Sequence, residues 1–437
     1  MAKMLTSRQI IVLIIALVES FILSAHYAVF MPFYPNVAKD KGNTPSEIGA
    51  FFAVGSFVGL VGAPVAGWFL KQGVSPKKMV IFGLLLSGVF LTVHGLHINL
   101  FSKSSDFFYA NAVTRVIHAI GPLAATTAIY PIVAVEMDDQ KGVYIPLLEA
   151  AYNMGLMIWP SIGAIMFDNF GYMFPFFSVG LCAIIMGLIV AVLMPSPKNT
   201  TDDEEQIGFD KIDCTLLLIL TNIGVCYLTI GFNDITLSTE LKAAFDLTHT
   251  QVGYCFAVST ICYGVCIYLW GLAVANPKGR CISQGTCYVL SMVGLFLMEP
   301  CQFIGFEPTL LVRLAGQAAM GIGLAGLFTA SLVSGMAYLT EELLLPDNVA
   351  THGFFSGLIF FSLCGGYLIG QGVFAGVIID MVGYNSAVIS ITGTIGFVFI
   401  IDVLFKIGRC CTRSRRLNYK RIGSDSKDTE RHTVHNT

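Results

Sequence analysis

Long apolar runs are the feature that most constrains what this chain can fold into. A helix needs roughly 20 apolar residues to cross the hydrocarbon core of a bilayer. The sequence contains twelve runs of about that length, so it predicts an all-α membrane protein with twelve spans. These spans lie near residues 9–35, 46–70, 79–98, 107–134, 143–166, 173–194, 213–235, 249–273, 282–299, 309–338, 353–379 and 386–407.

Composition agrees with this prediction and excludes several classes of protein. Hydrophobic residues make up 55% of the 437 residues and charged residues 12%, with a mean hydropathy of +0.73. That charged fraction is about half the average for a soluble domain. A soluble enzyme, a nucleic-acid-binding protein and a disordered chain are therefore excluded. No metal-ligand spacing and no P-loop is present, so we expect neither a metal, nor another cofactor, nor an ATP-driven pump.

The distribution of Lys and Arg predicts the orientation of the chain in the membrane. An even number of spans places both termini on one side. Without the C-terminal tail, that side carries ten Lys and Arg residues, and the opposite side carries four. Basic residues accumulate on the cytoplasmic side of membrane proteins, so both termini are predicted to be cytoplasmic.

Two similar halves follow one another in the sequence. IGAFFAV at 48–54 matches VGYCFAV at 252–258, FDNFGY at 167–172 matches IDMVGY at 379–384, and Arg115 has a counterpart in Arg313. The polar segment 195–211 separates the halves. We therefore predict a six-helix bundle at 1–194, a cytoplasmic loop at 195–211, a second bundle at 212–407 and a disordered cytoplasmic tail at 408–437. Six plus six helices in a parallel repeat is the arrangement of major facilitator transporters, with the substrate site between the halves.

Ionisable residues within apolar spans are costly, so each is a candidate functional group. Glu19 is either a substrate or proton ligand or the structural partner of Arg115. Arg115 is either a gate or charge partner, or a purely structural tie between helices. His118, one turn away, is either a proton relay or a packed core residue. The full candidate set for substrate and proton binding is Glu19, Tyr27, Arg115, His118, Glu149 opening span 5, Asn153, Asp234 closing span 7, Arg313 and Gln317.

A carboxylate in a low-dielectric cavity can couple a proton to an amine. Its ionised form attracts an ammonium group, and its protonated form releases that group. Competition between proton and amine for one carboxylate is enough for antiport. One pH unit of gradient is worth about 1.4 kcal/mol per proton, roughly a tenfold concentration ratio.

Several segments resemble known transporter motifs. RVIHAIG at 115–121 is similar to the helix 4 pattern of the major facilitator superfamily, and GLMIWPSIGA at 155–164 to its antiporter motif. MPFYP at 31–35 and Leu-Glu at 148–149 resemble the vesicular polyamine transporter branch of the vesicular amine transporters. GFNDITL at 231–237 is similar to that family's helix 7 pattern with an acid. The resemblance implies proton-coupled import of organic cations such as polyamines into acidic vesicles.

The chain also departs from these patterns. Trp159 and Ala164 replace glycines of the antiporter motif, and Lys71 stands where the superfamily usually has Asp. The acids of the monoamine branch would fall near Leu23 and Phe360, where this chain has none. The missing acids argue against monoamine transport, although Glu19 lies one turn from the first of these two positions.

The tail adds predictions about location. Tyr419 to Ile422 fits a short sorting signal read by clathrin adaptors, and the adjacent cysteines at 410–411 fit a palmitoylation site. We therefore expect a vesicular, endosomal or lysosomal membrane, with the plasma membrane as the alternative.

Three functions are compatible with the sequence. The first is a proton-coupled antiporter of organic cations, driven by a proton gradient. The second is a facilitator-type transporter of another solute, such as an organic anion held by Arg115 and Arg313. The third is a transporter-like receptor or scaffold that moves nothing.

Overall fold

The computed structural model describes residues 5–137, 141–195, 209–275, 277–299, 308–346 and 349–434. Side chains are described in these ranges except at residues 141–143, 146, 209, 277, 278, 349, 350 and 410–434. The predicted sorting and palmitoylation signals therefore lie outside the described side chains.

All regular structure in the described ranges is helical. The helices are α1 (Ser7–Ala28), α2 (Tyr34–Asp40), α3 (Pro45–Lys71), α4 (Pro76–Leu100), α5 (Ser104–Glu136), α6 (Lys141–Phe170), α7 (Met173–Leu193), α8 (Cys214–Phe245), α9 (His249–Ala273), α10 (Pro277–Met298), α11 (Leu310–Ala337), α12 (Val349–Leu368), α13 (Ile379–Val382) and α14 (Tyr384–Val434). Two π-helical segments, Tyr338–Glu342 and Ile369–Ile378, follow α11 and α12.

Twelve helices in the described residues are long and apolar enough to cross a membrane, which confirms the predicted number. The first predicted span is shorter than expected: α1 ends at Ala28, and the chain turns into the short helix α2. Pro32 and Pro35 lie in this region, and each lacks the backbone N–H that a helix interior uses, which favours a break in the helix here. The seventh predicted span is too short, since α8 continues to Phe245. The last turns of α8 carry polar residues, so a hydropathy analysis does not assign them to a membrane span.

Capping boxes fix the start of three membrane-spanning helices. Thr6, Thr44 and Thr248 each accept a hydrogen bond from the backbone N–H three residues later, and the Gln or Glu there bonds back to the cap. Thr248 lies 204 residues after Thr44, which is the offset between the matched segments IGAFFAV at 48–54 and VGYCFAV at 252–258. The two halves therefore begin α3 and α9 with the same local device.

Glycine pairs set the closest helix crossings in the same way in both halves. A Cβ on Gly83 of α4 would lie 2.5 Å from the carbonyl oxygen of Gly121 in α5. A Cβ on Gly294 of α10 would lie 2.8 Å from the carbonyl oxygen of Gly316 in α11. Only glycine permits this approach, and small residues at helix interfaces are the usual means of packing helices in membranes.

The antiporter-like segment of α6 packs directly on α1. A Cβ on Gly155 would overlap Ser24 Oγ, and one on Gly163 would overlap the Val29 carbonyl oxygen. Trp159, which replaces a motif glycine, donates from Nε1 to the carbonyl oxygen of Phe21 at 2.9 Å. The bulky Trp159 thus adds a hydrogen bond between α6 and α1.

Hydrogen bonds join the two halves of the chain at one end of the helices. We call the end at which α1 begins the near end and the opposite end the far end. Near the far end, Asn36 Nδ2 donates to Ser238 Oγ at 2.5 Å, and Ser238 Oγ donates to the Pro32 carbonyl oxygen at 2.7 Å. Asp168 accepts bonds from His249 and Thr250. These contacts close the far end.

The chain divides into two compact units at Thr392. Gly393–Thr437 contains most of α14, where Lys406 Nζ pairs with Asp402 Oδ2 at 2.6 Å. The helix runs on to Val434, into the predicted tail. The predicted domain boundaries at 194, 211 and 407 and the disorder of the tail stay predictions.

Candidate functional site

Glu19 is an enclosed carboxyl group in α1. Its side chain has no exposed surface, and neither carboxylate oxygen has a hydrogen-bond partner among the described residues. No ion pair joins it to Arg115 in that part of the chain. Its charge acts on the hydroxyl group of Tyr130 in α5, which lies nearby. In this conformation, no ion pair among the described residues therefore supports the alternative that Glu19 is the structural partner of Arg115.

Arg115 is held by α1 and by its own helix. Its Nη1 donates to the carbonyl oxygen of His26 at 3.2 Å and to Nδ1 of His118 at 3.0 Å. Its guanidinium carbon lies 5.7, 4.8 and 5.6 Å from the ring centres of Tyr27, Phe30 and Phe51. Such cation–π contacts stabilise a buried guanidinium.

The direction of the hydrogen bonds at His118 follows from the arginine. A guanidinium has only donors, so Nδ1 of His118 must accept and the neutral ring carries its proton on Nε2. That Nε2–H lies 2.9 Å from Nδ1 of His26, which must accept in turn. His26 therefore carries its proton on Nε2, and that buried group has no partner among the described residues.

Two further histidines lie beside this chain of bonds and were missed in the sequence. His94 and His97 both bond through Nδ1 to Oδ1 of Asn111, at 2.9 and 3.1 Å. The ring centre of His94 lies 6.0 Å from that of His118. His94 and His97 are three residues apart on α4, which indicates a shared face. Their proximity to the α5 histidine depends on tertiary packing.

Six tyrosines, one from each of six helices, interact with one another. All six are half-buried, and contacts or electrostatic interactions link them into one group. The ring centres of Tyr227 and Tyr367 lie 5.4 Å apart. We call this group the tyrosine ring: Tyr27 of α1, Tyr130 of α5, Tyr152 of α6, Tyr227 of α8, Tyr263 of α9 and Tyr367 of α12.

Glu149 reaches the tyrosine ring from α6. Its Oε1 accepts a hydrogen bond from the hydroxyl group of Tyr130 at 2.5 Å, and its charge acts on Tyr152 and Tyr227. It is exposed, as is Asn153, whose Nδ2 donates to the Glu149 carbonyl oxygen at 2.8 Å. Because α6 begins at Lys141, Glu149 lies two turns inside the helix and does not open it.

Asp234 reaches the same ring from the other half. Its charge acts on the hydroxyl group of Tyr367 in α12. The prediction that it closes span 7 is wrong, since α8 continues for eleven residues beyond it, to Phe245. It is 8% exposed. Asp234 is therefore a buried acid within the helix.

Arg313 and Gln317 lie apart from the tyrosine ring. Arg313 Nη2 pairs with Glu299 Oε2 at 3.0 Å near the far end. Burial raises the pKa of Glu299 above its ordinary value, and the Arg313 charge opposes that rise. Gln317 Nε2 donates to Oδ1 of Asn233 at 2.6 Å and so ties α11 to α8. The structure thus gathers Glu19, Tyr27, Glu149 and Asp234 around the ring, with Arg115 and His118 adjoining through Tyr27.

Comparisons with known proteins agree with this architecture. A model of the Major Facilitator Superfamily matches residues 16–232. The MFS-type transporter SLC18B1 of Mus musculus is 24% identical over 399 residues, which cover 88% of this chain and 84% of that protein. The synaptic vesicular amine transporter of Homo sapiens is 23% identical over 375 residues, covering 85% and 67%.

A solved structure supports the fold independently. A bacterial homologue of the human lysosomal transporter Spinster, in an inward-facing and occupied conformation, superposes with a TM-score of 0.69 at 12% identity, covering 92% of this chain and 96% of that one. These relatives and this fold are those of transporters and not of enzymes. The resemblance inferred from the sequence is confirmed: the chain has the major facilitator fold, carries a major facilitator domain over residues 16–232, and is similar to SLC18B1 and to the vesicular amine transporters.

Proposed function

We propose that this transporter exchanges protons for organic cations by alternating access. The observation that carries the proposal is the tyrosine ring with acids at its edge. Glu149 approaches it from α6 and Asp234 from α8, so each half of the chain contributes one carboxyl group. Aromatic faces and carboxylates together are the chemistry that binds an ammonium group.

Glu19 is the proposed proton site. It is fully buried and has no partner among the described residues, so nothing fixed in the protein neutralises its charge. Bound protons are the simplest means of keeping such a group neutral in an apolar interior. When the opposite face opens, water and solute reach the group and change its protonation state. The negative charge of this region is then balanced either by a proton on Glu19 or by a bound amine.

The relatives support the solute class and the location. One carries the name vesicular amine transporter, and the chain aligns with it over both halves. We therefore infer an amine, and a polyamine in particular, as the solute, and a vesicular, endosomal or lysosomal membrane as the location. The distribution of basic residues favours an orientation with both termini in the cytoplasm. The closed far end then faces the lumen.

The test uses purified protein in liposomes with an acidic interior and labelled spermidine outside. We expect uptake that a protonophore abolishes. Glu19→Gln should reduce it by at least about tenfold, because the amide cannot exchange a proton. Glu47→Gln is the matched control: Glu47 caps α3, and Gln251 fills the same position of the capping box in α9. Equal uptake by Glu19→Gln and Glu47→Gln would contradict the role of Glu19.

An organic anion is the second candidate solute, because Arg115 has no carboxylate partner among the described residues. The pairing of Arg313 with Glu299 weakens it, since the two arginines do not share a site. Spermidine uptake that is absent from the folded parent, with anion uptake that Arg115→Gln abolishes, would favour this candidate. A folded parent that transports neither solute and shows no ligand-induced thermal shift would favour a receptor or scaffold.

A further inference from the structure

A side-chain hydrogen bond joins the two halves of the chain near the middle of the membrane. Ser56 Oγ in α3 donates to Oε1 of Gln371, in the π-helical segment that follows α12, at 3.1 Å. Ser56 lies eleven residues after the start of α3 at the far end, and Asp234 lies eleven residues before α8 ends there. At about 1.5 Å per residue, both are about 16 Å from the far end, roughly half of the 30 Å bilayer core. The bond and the acid therefore lie at one level.

Gln371 also packs beside Asp234. A Cβ on Gly231 of α8 would lie 2.9 Å from Cδ1 of Tyr367 and 3.1 Å from Cγ of Gln371, so both side chains lie against this glycine. Gly231 and Asp234 are three residues apart, and such residues are neighbours on one helix face, about 5–6 Å apart. The charge of Asp234 acts on Tyr367. Gln371 therefore lies at the edge of the tyrosine ring where Asp234 reaches it.

The backbone around Gln371 is packed closely on α3. A Cβ on Gly49 of α3 would lie 2.6 Å from the carbonyl oxygen of Gln371, so no side chain separates the two backbones at this contact. Gln371 belongs to the segment Ile369–Ile378, which is π-helical. π-Helical turns are rare and occur frequently at functional sites. This packing holds the amide group of Gln371 at the boundary between the two halves.

The amide group of Gln371 has unused hydrogen-bonding capacity. An amide oxygen has two lone pairs, and an amide nitrogen has two donor hydrogens. Within the described residues, the bond from Ser56 is the only one that this side chain makes, although Gln371 is only 5% exposed. The second lone pair of Oε1 is thus free to accept from a solute. Because a hydrogen bond from a charged donor is about twice as strong as one from a neutral donor, an ammonium N–H is the donor that this oxygen favours.

We propose that Oε1 of Gln371 accepts an N–H of the bound solute while the carboxylate of Asp234 balances the charge of that solute. Ser56 is a positioning residue, since its hydroxyl group fixes the direction of this oxygen. The inference rests on the proposed transport of organic cations and narrows the class of solute. A carboxylate attracts any cation, whereas a neutral oxygen distinguishes an amine that carries N–H groups from a quaternary ammonium group, which has none. Gln371 therefore selects for amines that carry N–H groups.

Equilibrium binding of labelled spermidine to the purified full-length protein tests this role. Gln371→Met keeps an unbranched side chain without the oxygen, and should raise the half-saturating spermidine concentration about tenfold. Ser56→Ala breaks the same bond between the halves but keeps that oxygen, so its effect should stay below about threefold. Ser161→Ala is the control and should bind like the parent: Ser161 Oγ donates to the Gly253 carbonyl oxygen at 3.0 Å, where α6 meets α9. Equal effects of Gln371→Met and Ser56→Ala would indicate a purely structural bond and overturn the proposal.

The quaternary, fully N-methylated analogue of spermidine provides a readout that a structural role would not separate from the first. The tyrosines still bind this analogue through cation–π contacts, so Gln371→Met should leave its half-saturating concentration within about twofold of the parent value. Equal weakening of both ligands overturns the proposal. Gln371→Glu is a second variant that keeps an oxygen acceptor in the same space. It should bind spermidine at least as tightly as the parent, and weaker binding by the folded variant overturns the proposal.

The parent protein separates this inference from the proposed function. A folded parent that binds no spermidine overturns the amine function together with the role of Gln371. Spermidine binding by the parent that Gln371→Met leaves unchanged overturns the role of Gln371 alone.

Discussion

Removing the carboxylate of Asp168 tests whether the far-end contacts hold the two halves of the chain together. This side chain, at the end of α6, accepts bonds from Thr250 N at 2.7 Å, Thr250 Oγ1 at 2.7 Å and His249 Nδ1 at 2.9 Å. All three donors belong to the start of α9. Asp168→Ala removes every one of these bonds and leaves α9 without the acidic group at its N-terminus.

The magnitude follows from the number of bonds and their exposure. Hydrogen bonds to a charged group each contribute about 1.5–3 kcal/mol when buried. The Asp168 side chain is 25% exposed, so solvent replaces part of the loss. We expect the far-closed conformation to lose about 2 kcal/mol, which shifts the population toward a far-open conformation roughly thirtyfold.

Pairs of nitroxide labels report this shift. Ser105 at the start of α5 and Ala244 near the end of α8 are exposed at the far end, one in each half. Asp168→Ala should add a longer distance to the distribution measured by pulsed electron paramagnetic resonance. Asn169→Ala is the control, because Asn169 is exposed and, among the described residues, its side chain donates to the carbonyl oxygen of Ile165 in its own helix. A distribution in Asp168→Ala that matches the parent would refute the role of this contact.

Three further predictions concern stability and are checked by thermal melts of the purified protein. Gly83→Ala should cost about 1–3 kcal/mol because its Cβ meets backbone of the neighbouring helix, whereas Gly67→Ala should leave the melting temperature unchanged. Arg313→Gln should lower the free energy of unfolding by about 1–2 kcal/mol. Because burial already raises the pKa of Glu299, this loss should grow as pH rises through that pKa. A loss that does not depend on pH would contradict this. Asp213 caps α8, since its Oδ1 accepts a hydrogen bond from the Leu216 backbone N–H at 2.9 Å. Burial acts to raise the pKa of Asp213, but hydrogen bonds from neighbours including Tyr338 lower it overall. The stability that this cap contributes should be present above about pH 3.9 and be lost as pH falls through the lower folded pKa, a dependence that Asp213→Asn should remove.

The membrane-spanning helices could be predicted because the signals for each helix lie within its own stretch of sequence. Apolar run length, threonine caps and glycine spacing all act within one helix. The sequence repeat places the same signals in the second half of the chain. The end of α8 could not be predicted from hydropathy, since its last turns are polar yet helical up to Asp246, which adopts a left-handed conformation. Residues with a polar side chain continue a helix whenever tertiary contacts cover them, and sequence reading lacks those contacts.

The candidate site was predicted only in part, for a related physical reason. Tyr27 and Glu149 could be selected because they stand beside charges or motifs. In an apolar helix, the sequence does not distinguish a tyrosine that packs in the core from one that lines a cavity. Tyr227 and Tyr263 are two such residues. Which face of each helix points inward depends on rotation about its axis, and that rotation is set by packing against neighbours. The tyrosine ring therefore emerges only when the helices are assembled.

Glu19 and Arg115 form no ion pair with each other in the described part of the chain, and this bears on the proposed proton site. A buried ion pair offsets part of the desolvation that each charge suffers, whereas a buried charge without a partner bears all of it. Arg115 instead bonds the backbone of His26 and the ring of His118, and Glu19 bonds nothing in the described residues. A proton on Glu19 removes its unpaired charge, whereas the charge of Arg115 stays in contact with the backbone of His26 and the ring of His118. Glu19→Gln should therefore reduce amine uptake while preserving the melting temperature, because a neutral amide replaces a neutral carboxyl group of about the same size.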